Sequence, residues 1–276
     1  MSWTARLNLD YTRQDQRCVA RFVHEGPLRI LQSLYPEGEG ICHNVLVHPP
    51  GGLVGGDRLD LAVKVGAGAH GLLTTPGASR FYRSLGEEAL QDTRLELAEG
   101  ARLEWLPMEA LCYSGCLAEN RLQMQLAPGA ELLGWDITAL GLPQSDQPFV
   151  AGRFRQHIEW PGVWLERAEI EAQDQRLLAS PLGLAGHRCL ATLFFATGQP
   201  LARARREGAL ELTRSWLQNH ALAASAGVTC PNEQVMVLRV LAPLVEPAMH
   251  LLKAVWQGWR AHFWGLAATH PRTWAL

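Results

Sequence analysis

The sequence has no apolar run long enough to cross a membrane and no charge excess of either sign. The longest apolar candidate, residues 189–202, is shorter than the roughly 18 residues that a helical span needs and contains Gly198 and Pro200. The first 17 residues are charged and lack the apolar core of a secretory signal. A formal net charge of -2 gives no general attraction to nucleic acid or anionic lipid. We therefore expect a cytoplasmic protein that binds neither nucleic acid nor membranes.

Catalytic and nucleotide-binding motifs are also missing. Neither a G-x-S-x-G nor an H-E-x-x-H motif occurs. Residues 66–71 match G-x-G-x-x-G, but Pro76 and Gly77 leave no room for the helix that a dinucleotide site requires. Residues 51–56 have the spacing of a phosphate loop, yet Asp57 stands at the lysine position and would repel phosphate. The sequence thus favours a protein that is not an enzyme and has no tightly bound cofactor.

What is present over residues 1–204 is a series of short strand-like runs. Alternating or apolar runs separated by glycine and proline occur at residues 59–65, 95–105, 122–135 and 163–170. A glycine recurs between such runs at spacings of 32, 29 and 33 residues, at positions 68, 100, 129 and 162. A regular period of this length is typical of stacked supersecondary units, and glycine suits their turns. The pattern predicts a mainly β domain with a β-helix-like wound sheet.

Residues 205–276 differ and predict a small helix–strand–helix part packed on the β domain as one continuous unit. We expect a helix over 207–224, a strand over 235–241 and a helix from Pro247. The last helix has an apolar face at Ala248, Leu251, Leu252, Val255, Trp256, Trp259 and Phe263. Its other face carries His250, Lys253, Gln257 and Arg260. The aromatic cluster Trp256, Trp259, Trp264 and Trp274 is a hypothetical partner-binding site, with burial in the core as the alternative.

Three segments of the β part combine rigid turns with charged or aromatic side chains. They are residues 48–57 (HPPGGLVGGD), residues 74–84 (TTPGASRFYRS) and residues 103–109 (LEWLPME). In this order they resemble the UreD family of urease accessory proteins, called UreH in some organisms. Further matches at residues 135–143, 165–167 and 271–274 extend the resemblance over nearly the whole chain.

The resemblance implies a fold and a function. Family members are not catalysts; they bind urease apoprotein and a complex of UreF with UreG, the GTPase that carries nickel. Their fold is a β-helix-like wound sheet with a small helical part near the C-terminus, and an internal water-filled passage is thought to conduct nickel. The sequence departs from the family at three positions: Arg80 replaces a common lysine, Met108 a common glutamine and Leu142 a common basic residue.

Five residues in or beside the matching segments are expected to line a polar passage: Asp57, Ser79, Arg80, Asp136 and Glu166. Stacked coils bring residues about one period apart close together, and carboxylates are rarely buried unless paired or hydrated. In a passage, their oxygens would bind transient Ni²⁺. The alternative is that Asp57 only caps its turn and Glu166 lies on an exposed strand.

Histidine and cysteine offer other metal ligands. His43 and His48 are candidate nickel ligands, although five residues of extended strand would point them to opposite sides. Cys112 and Cys116 lack a second ligand pair with zinc-site spacing, so structural thiols are expected. Two other functions stay open: a passive β-solenoid scaffold, and a metal-dependent hydrolase using these thiols and a histidine.

Overall fold

The computed structural model describes residues 2–275, which form two stacked β-sheets with helices against one of them. Strands are numbered in chain order. The first nine are β1 (Thr4–Gln14), β2 (Arg17–Glu25), β3 (Arg29–Leu34), β4 (Cys42–Val47), β5 (Arg58–Val65), β6 (His70–Thr74), β7 (Ser79–Phe81), β8 (Ala89–Leu97) and β9 (Arg102–Leu106). The others are β10 (Ala110–Cys112), β11 (Leu117–Leu126), β12 (Glu131–Leu142), β13 (Gln147–Pro148), β14 (Arg153–Trp160), β15 (Trp164–Glu171), β16 (Cys189–Thr197), β17 (Ala226–Thr229) and β18 (Val235–Ala242).

Sheet A has the strand order β15-β14-β11-β8-β5-β1-β2. Its five central strands, from β1 to β14, are parallel, and an antiparallel strand closes each edge. Sheet B has the order β17-β18-β16-β12-β9-β6-β4-β3, with the short strands β7, β10 and β13 beside it. Apolar side chains from both sheets fill the space between them.

The chain winds between the sheets, as the glycine period predicts. It passes from β5 to β6, from β8 to β9 and from β11 to β12, each time crossing from sheet A to sheet B. Gly68, Gly100 and Gly129 occupy these crossings with φ of 63°, 63° and 73°, a conformation that favours glycine. Gly162 also has positive φ, but it turns a hairpin between β14 and β15 within sheet A. The prediction of a mainly β, β-helix-like wound sheet is confirmed.

The C-terminal residues extend sheet B and cover it with helices. Residues 2–275 contain three α-helices: α1 (Gln175–Ala179), α2 (Arg203–Leu217) and α3 (Val245–Trp264). The helix expected over 207–224 is observed as α2, which begins earlier, at Arg203, and ends earlier, at Leu217. It ends there because the backbone turns after Leu217 and leads into β17. Strands β17 and β18, which lie after residue 204, pair with sheet B of the preceding part. The predicted boundary between 1–204 and 205–276 stays a prediction. Within residues 2–275, none of the helices combines the length and hydropathy needed to span a bilayer.

Helix α3 packs on sheet B through its predicted apolar face. All seven residues of that face are buried: Ala248, Leu251, Leu252, Val255, Trp256, Trp259 and Phe263. They pack with apolar residues of sheet B and of α2 in a second core, outside the space between the sheets. Burial of each large side chain contributes roughly 1.5–3 kcal/mol, so α3 is an integral part of the fold.

One residue of α3 corrects the sequence analysis. Arg260 was expected on the polar face but is fully buried. Its Nη2 lies 2.7 Å from Oε2 of Glu37 and its Nε lies 3.1 Å from Oε1 of Glu104. His70 and Trp256 also contact the Glu104 carboxylate, at 3.0 and 2.7 Å. Burial of the guanidinium is compatible with the fold because two carboxylates neutralise it and join α3 to the first coils.

Substitution of Gly152 tests how closely the coils pack. Its φ is 95°, and a Cβ there would lie 2.2 Å from the carbonyl oxygen of Cys116. Gly38 is a matched control because its φ is 90° and nothing lies near its missing Cβ. We expect Gly38→Ala to lower the free energy of unfolding by about 1–2 kcal/mol through backbone strain alone. Gly152→Ala should cost about 1–3 kcal/mol more, measured by urea unfolding; equal losses would contradict this close approach.

Candidate functional site

A row of amide side chains crosses the inner face of sheet A. Gln91, Asn120 and Gln156 lie on β8, β11 and β14, and the parallel register places them side by side. The hydroxyl of Ser79 donates to Oε1 of Gln91 at 3.1 Å, and Nε2 of Gln91 donates to Oδ1 of Asn120 at 3.2 Å. These three amides, here called the amide row, form a polar strip between the two sheets.

Asp136 faces the amide row from β12 of sheet B. Its Oδ2 accepts from Nδ2 of Asn120 at 2.7 Å, and its Oδ1 accepts from Nε2 of Gln156 at 2.6 Å. Burial raises the pKa of this carboxyl from 3.8 to about 6, and the negative charge of Glu166 adds to the shift, while the two amide donors oppose it. A carboxylate is therefore held inside the sandwich by neutral donors alone.

Glu166 continues the polar groups toward the edge of the sandwich. It lies on edge strand β15, where its carboxylate accepts from Oγ1 of Thr192 at 3.1 Å and from Nη2 of Arg239 at 2.5 Å. Asp136, Thr192 and Arg239 are paired neighbours across sheet B. The Arg239 side chain is half exposed, so the polar groups extend from the interior to solvent.

Two cavities adjoin the amide row. The larger, here called the vestibule, has a volume of about 250 Å³, and its lining includes His48, Gly51, Thr75, Ser79, Arg80, Gln91, Thr93 and Trp105. A narrow cavity of about 10 Å³ shares Ser79, Gln91, Thr93 and Trp105 with it and continues to Asn120, Met108 and Asp136. That volume is close to the minimum that holds one water molecule. The two cavities thus share part of their lining, and the narrow one extends this lining to Asp136.

The five predicted passage residues occupy different parts of this arrangement. Ser79 lines both cavities, Arg80 is exposed at the vestibule, and Asp136 lines the narrow cavity. Glu166 lies beyond Asp136 toward the edge. The structure brings these four residues to one polar strip, and the assignment of a passage to them stays a prediction.

Asp57 is placed apart from the other four. Its carboxylate is buried and accepts from the backbone N–H groups of Val54 at 2.9 Å and Trp3 at 3.2 Å. These bonds fix the turn of residues 54–57 and attach the N-terminal strand to it. The capping role that the sequence left open for Asp57 is therefore present in the structure.

His43 and His48 have different surroundings. Nε2 of His43 is buried 2.8 Å from Oε1 of Glu37, within the ion pairs around Arg260. Nε2 of His48 is also buried but has no hydrogen-bond partner. Within residues 2–275, no three His, Cys, Asp or Glu side chains are arranged to hold a metal ion.

Cys112 and Cys116 are buried next to each other. Burial raises the pKa of the Cys112 thiol, and contact with Cys116 adds to this effect. Both sulfurs have only weak 4.0 Å contacts to backbone carbonyl oxygens. A buried thiol with a raised pKa, such as that of Cys112, is a poor metal ligand.

The four C-terminal tryptophans face inward. Trp256 and Trp259 are fully buried, Trp264 is 9% exposed and Trp274 is half-buried. Each indole N–H donates to a side chain of the same chain: Glu104, Thr213, Glu131 and Thr74, respectively. The alternative given for these tryptophans, burial in the core, is thus present in the structure. Their role in partner binding stays a prediction.

The amide row was missed in the sequence, although a signal for it exists. Gln91 lies nine residues before Gly100, and Asn120 lies nine residues before Gly129. Equal distances from the repeat glycine predict neighbouring positions in a wound sheet. Thr192 and Arg239 have no such signal, because they come from antiparallel strands outside the repeat.

Comparison with known proteins gives matches along the full chain. A family model described as UreD urease accessory protein matches residues 4–275. The urease accessory protein UreD of Polaromonas naphthalenivorans is 67% identical over 276 residues, which is 100% of both chains. That of Variovorax paradoxus is 66% identical over 275 residues and 100% of both chains. That of Leptothrix cholodnii is 52% identical over 276 residues and 99% of each chain.

The environment of Asp136 predicts a pH dependence of stability. Its pKa is 3.8 in an unfolded chain and about 6 when folded, so the folded state binds this proton more tightly. By linkage, the contribution of Asp136 to stability is complete below the unfolded pKa and is lost as pH rises through the folded pKa. Asp136→Asn should remove this loss, measured as the pH dependence of the urea unfolding free energy against the unmodified chain. An unchanged pH dependence would contradict the prediction.

Substitutions of two neighbours of Asp136 should shift its pKa in opposite directions. Glu166→Gln removes a negative charge and should lower the Asp136 pKa, whereas Asn120→Leu removes a donor to the carboxylate and should raise it. Carboxyl ¹³C chemical shifts followed against pH measure both effects. Glu169→Gln is the control, because Glu169 lies on the same strand but points outward, to Arg155.

Proposed function

The chain belongs to the UreD family of urease accessory proteins, and we propose that it delivers nickel to urease through the polar strip between its two sheets. On this proposal it is a maturation chaperone without a catalytic centre of its own. The family membership establishes a role in urease maturation. The route of the ion and the partners are the proposed parts.

The observation that carries the proposal is the continuity of polar groups between two apolar sheet faces. The vestibule, the narrow cavity, Asp136 and Glu166 follow one another from one side of the sandwich toward its edge. Buried polar groups cost free energy unless they are satisfied. A fold that needed only stability would fill these positions with apolar side chains, as it does with Ala89, Ala118 and Phe154 in the adjacent row.

The chemistry of the strip suits an ion in transit. Carboxylate, amide and hydroxyl oxygens and single imidazoles bind divalent cations without the closed cage of a resident site. Conduction requires binding that is favourable enough for the ion to enter and weak enough for it to leave. Met108, which replaces a common family glutamine, lines the narrow cavity with an apolar side chain.

Urease apoprotein and the UreF–UreG complex are the proposed partners, and the cytoplasm is the proposed location. The relatives with high identity are urease accessory proteins by name, which supports a urease partner. The buried tryptophans would act indirectly, by fixing α3 and the C-terminal segment against sheet B. Partner contacts would then come from the outer surface of this C-terminal part.

A passive scaffold is the second candidate function. Exposed apolar side chains occur at Val54, Leu85 and Val150, in turns of successive coils that contact one another. Such a row could bind a partner without any ion passing through the sandwich. A nickel passage requires the interior carboxylates for urease activation, whereas a passive scaffold does not.

Glu166 separates the two functions. If the proposal is correct, Glu166→Ala should leave the complex with UreF and urease intact but reduce urease activation at limiting nickel. Glu169→Ala is the matched control, with the same residue type on the same strand and an outward side chain. The measurements are co-purification of the complex and urease activity after maturation with graded nickel.

Three outcomes are informative. Full activation by Glu166→Ala would contradict the passage and favour the scaffold. Equal defects in Glu166→Ala and Glu169→Ala would indicate a loss of surface charge. Loss of assembly by Glu166→Ala would indicate that its bonds to Thr192 and Arg239 serve the fold.

The purified chain should hydrolyse neither urea nor GTP. The motivation is the missing nucleotide loop in the sequence and the unsuitable thiol pair at Cys112 and Cys116. Phosphate release and ammonia release assays on the isolated protein measure these activities. GTP or urea turnover that persists through a second purification would contradict the proposal and reopen the hydrolase hypothesis.

A further inference from the structure

Two chain segments form much of the lining of the vestibule and of the narrow cavity. Residues 75–79 follow β6, and residues 105–108 begin at the end of β9. Both segments line the vestibule, and both contribute residues to the narrow cavity. They are here called the wall segments, and they bond to each other where the N–H of Met108 donates to Oγ1 of Thr75 at 2.8 Å. The shape of both cavities therefore depends on how the wall segments are held.

Trp274 holds the wall segments from the side of the second core. Its indole N–H donates to Oγ1 of Thr74 at 3.0 Å, and this hydroxyl donates to the carbonyl oxygen of Leu106 at 2.6 Å. Thr74 is the last residue of β6, Leu106 is the last residue of β9, and the two are paired across sheet B. A chain of two hydrogen bonds thus joins the C-terminal segment to the strand ends from which the wall segments extend.

The ring of Trp274 is itself fixed by other aromatic side chains. It packs against the rings of Trp135 and Trp256, each with a centroid distance of 5.3 Å. The indole N–H of Trp135 donates to the carbonyl oxygen of Pro107 at 2.6 Å, which gives this aromatic cluster a further bond to a wall segment. An indole combines a large packed ring with one N–H donor. Phenylalanine at position 274 would supply the packing without the bond to Thr74.

Resting on the nickel-delivery function proposed above, we propose that Trp274 is a positioning residue for nickel entry, because through Thr74 it holds the wall segments in the arrangement that admits the ion. Trp274 belongs to the second core, so it acts through Thr74 and not as a nickel ligand. When a binding arrangement is populated only part of the time, apparent affinity falls by the populated fraction. Loss of the bond should therefore raise the nickel concentration that urease activation requires and leave the maximum activation unchanged.

Backbone hydrogen exchange of the isolated full chain tests the positioning without nickel. Trp274→Phe keeps an aromatic ring and removes the N–H donor. We expect faster exchange of the Met108 amide, whose bond to Thr75 joins the wall segments. Trp259→Phe is the matched control, because its indole N–H also donates to a threonine hydroxyl, that of Thr213, but between α3 and α2. Unchanged exchange at Met108 in Trp274→Phe, or an equal increase in Trp259→Phe, would overturn the proposal.

Thr74 supplies a second pair of variants, which decides the question if Trp274→Phe does not fold. Thr74→Val removes the hydroxyl that accepts from the indole, whereas Thr74→Ser keeps it. Exchange of the Met108 amide should be faster in the valine variant and close to that of the unmodified chain in the serine variant. Equal exchange rates in the two variants would overturn the proposal.

Urease maturation with graded nickel tests the consequence for delivery. The nickel concentration for half-maximal activation should rise about three- to tenfold in Trp274→Phe, the range expected for the loss of one hydrogen bond. Activation at saturating nickel should be complete, and Trp259→Phe should need as much nickel as the unmodified chain. An unchanged nickel requirement in Trp274→Phe would overturn its role in nickel entry. Full activation by Glu166→Ala would contradict the passage and leave the exchange result unaffected, so the two proposals fail separately.

Discussion

The parallel, in-register pairing of one strand from each coil is the constraint on which the rest of the structure depends. It places equivalent positions of successive coils side by side, so one residue type repeated along the chain becomes a row in space. Most rows on the inner faces are apolar and form the core. The row of Gln91, Asn120 and Gln156 is polar, and the same register that builds the core therefore builds the polar strip. The turns obey this constraint too, because each crossing needs a residue that accepts positive φ.

A polar row inside a sandwich is stable only if its members satisfy one another. The amide row meets this condition with donors that all point one way, from Ser79 through Gln91 and Asn120 to Asp136. Amides supply partial charge without a counter-ion, so they stabilise the carboxylate without neutralising it. An arginine at the same place would satisfy the carboxylate better and would repel a divalent cation. The side chains of the strip are thus ordered by hydrogen bonds, while no cation among them neutralises the carboxylate of Asp136.

Sequence periodicity could predict the fold because the wound sheet repeats. The glycine turns, the strands between them and the apolar face of α3 all follow from local patterns. Pairs distant in sequence could not be predicted in this way. Arg260 looks like a solvent-facing residue on its own helix, and its burial depends on Glu37 and Glu104, more than 150 residues away. The tryptophans of α3 likewise look like anchors until their N–H partners on α2 and on strands of sheet B are known.

Glu104 and Asp136 lie on opposite faces of one sheet and have different surroundings. Both are buried carboxylates of sheet B, but Glu104 faces α3 and Asp136 faces the amide row. Burial raises the pKa of Glu104, yet His70 and Arg260 outweigh it and lower the pKa overall. No cation is among the groups that set the pKa of Asp136, which burial raises. The Glu104 carboxylate is neutralised by Arg260, and its contacts hold α3 on sheet B. A carboxylate that has neutral donors and a negative neighbour is instead the group in this sheet that a passing cation would stabilise.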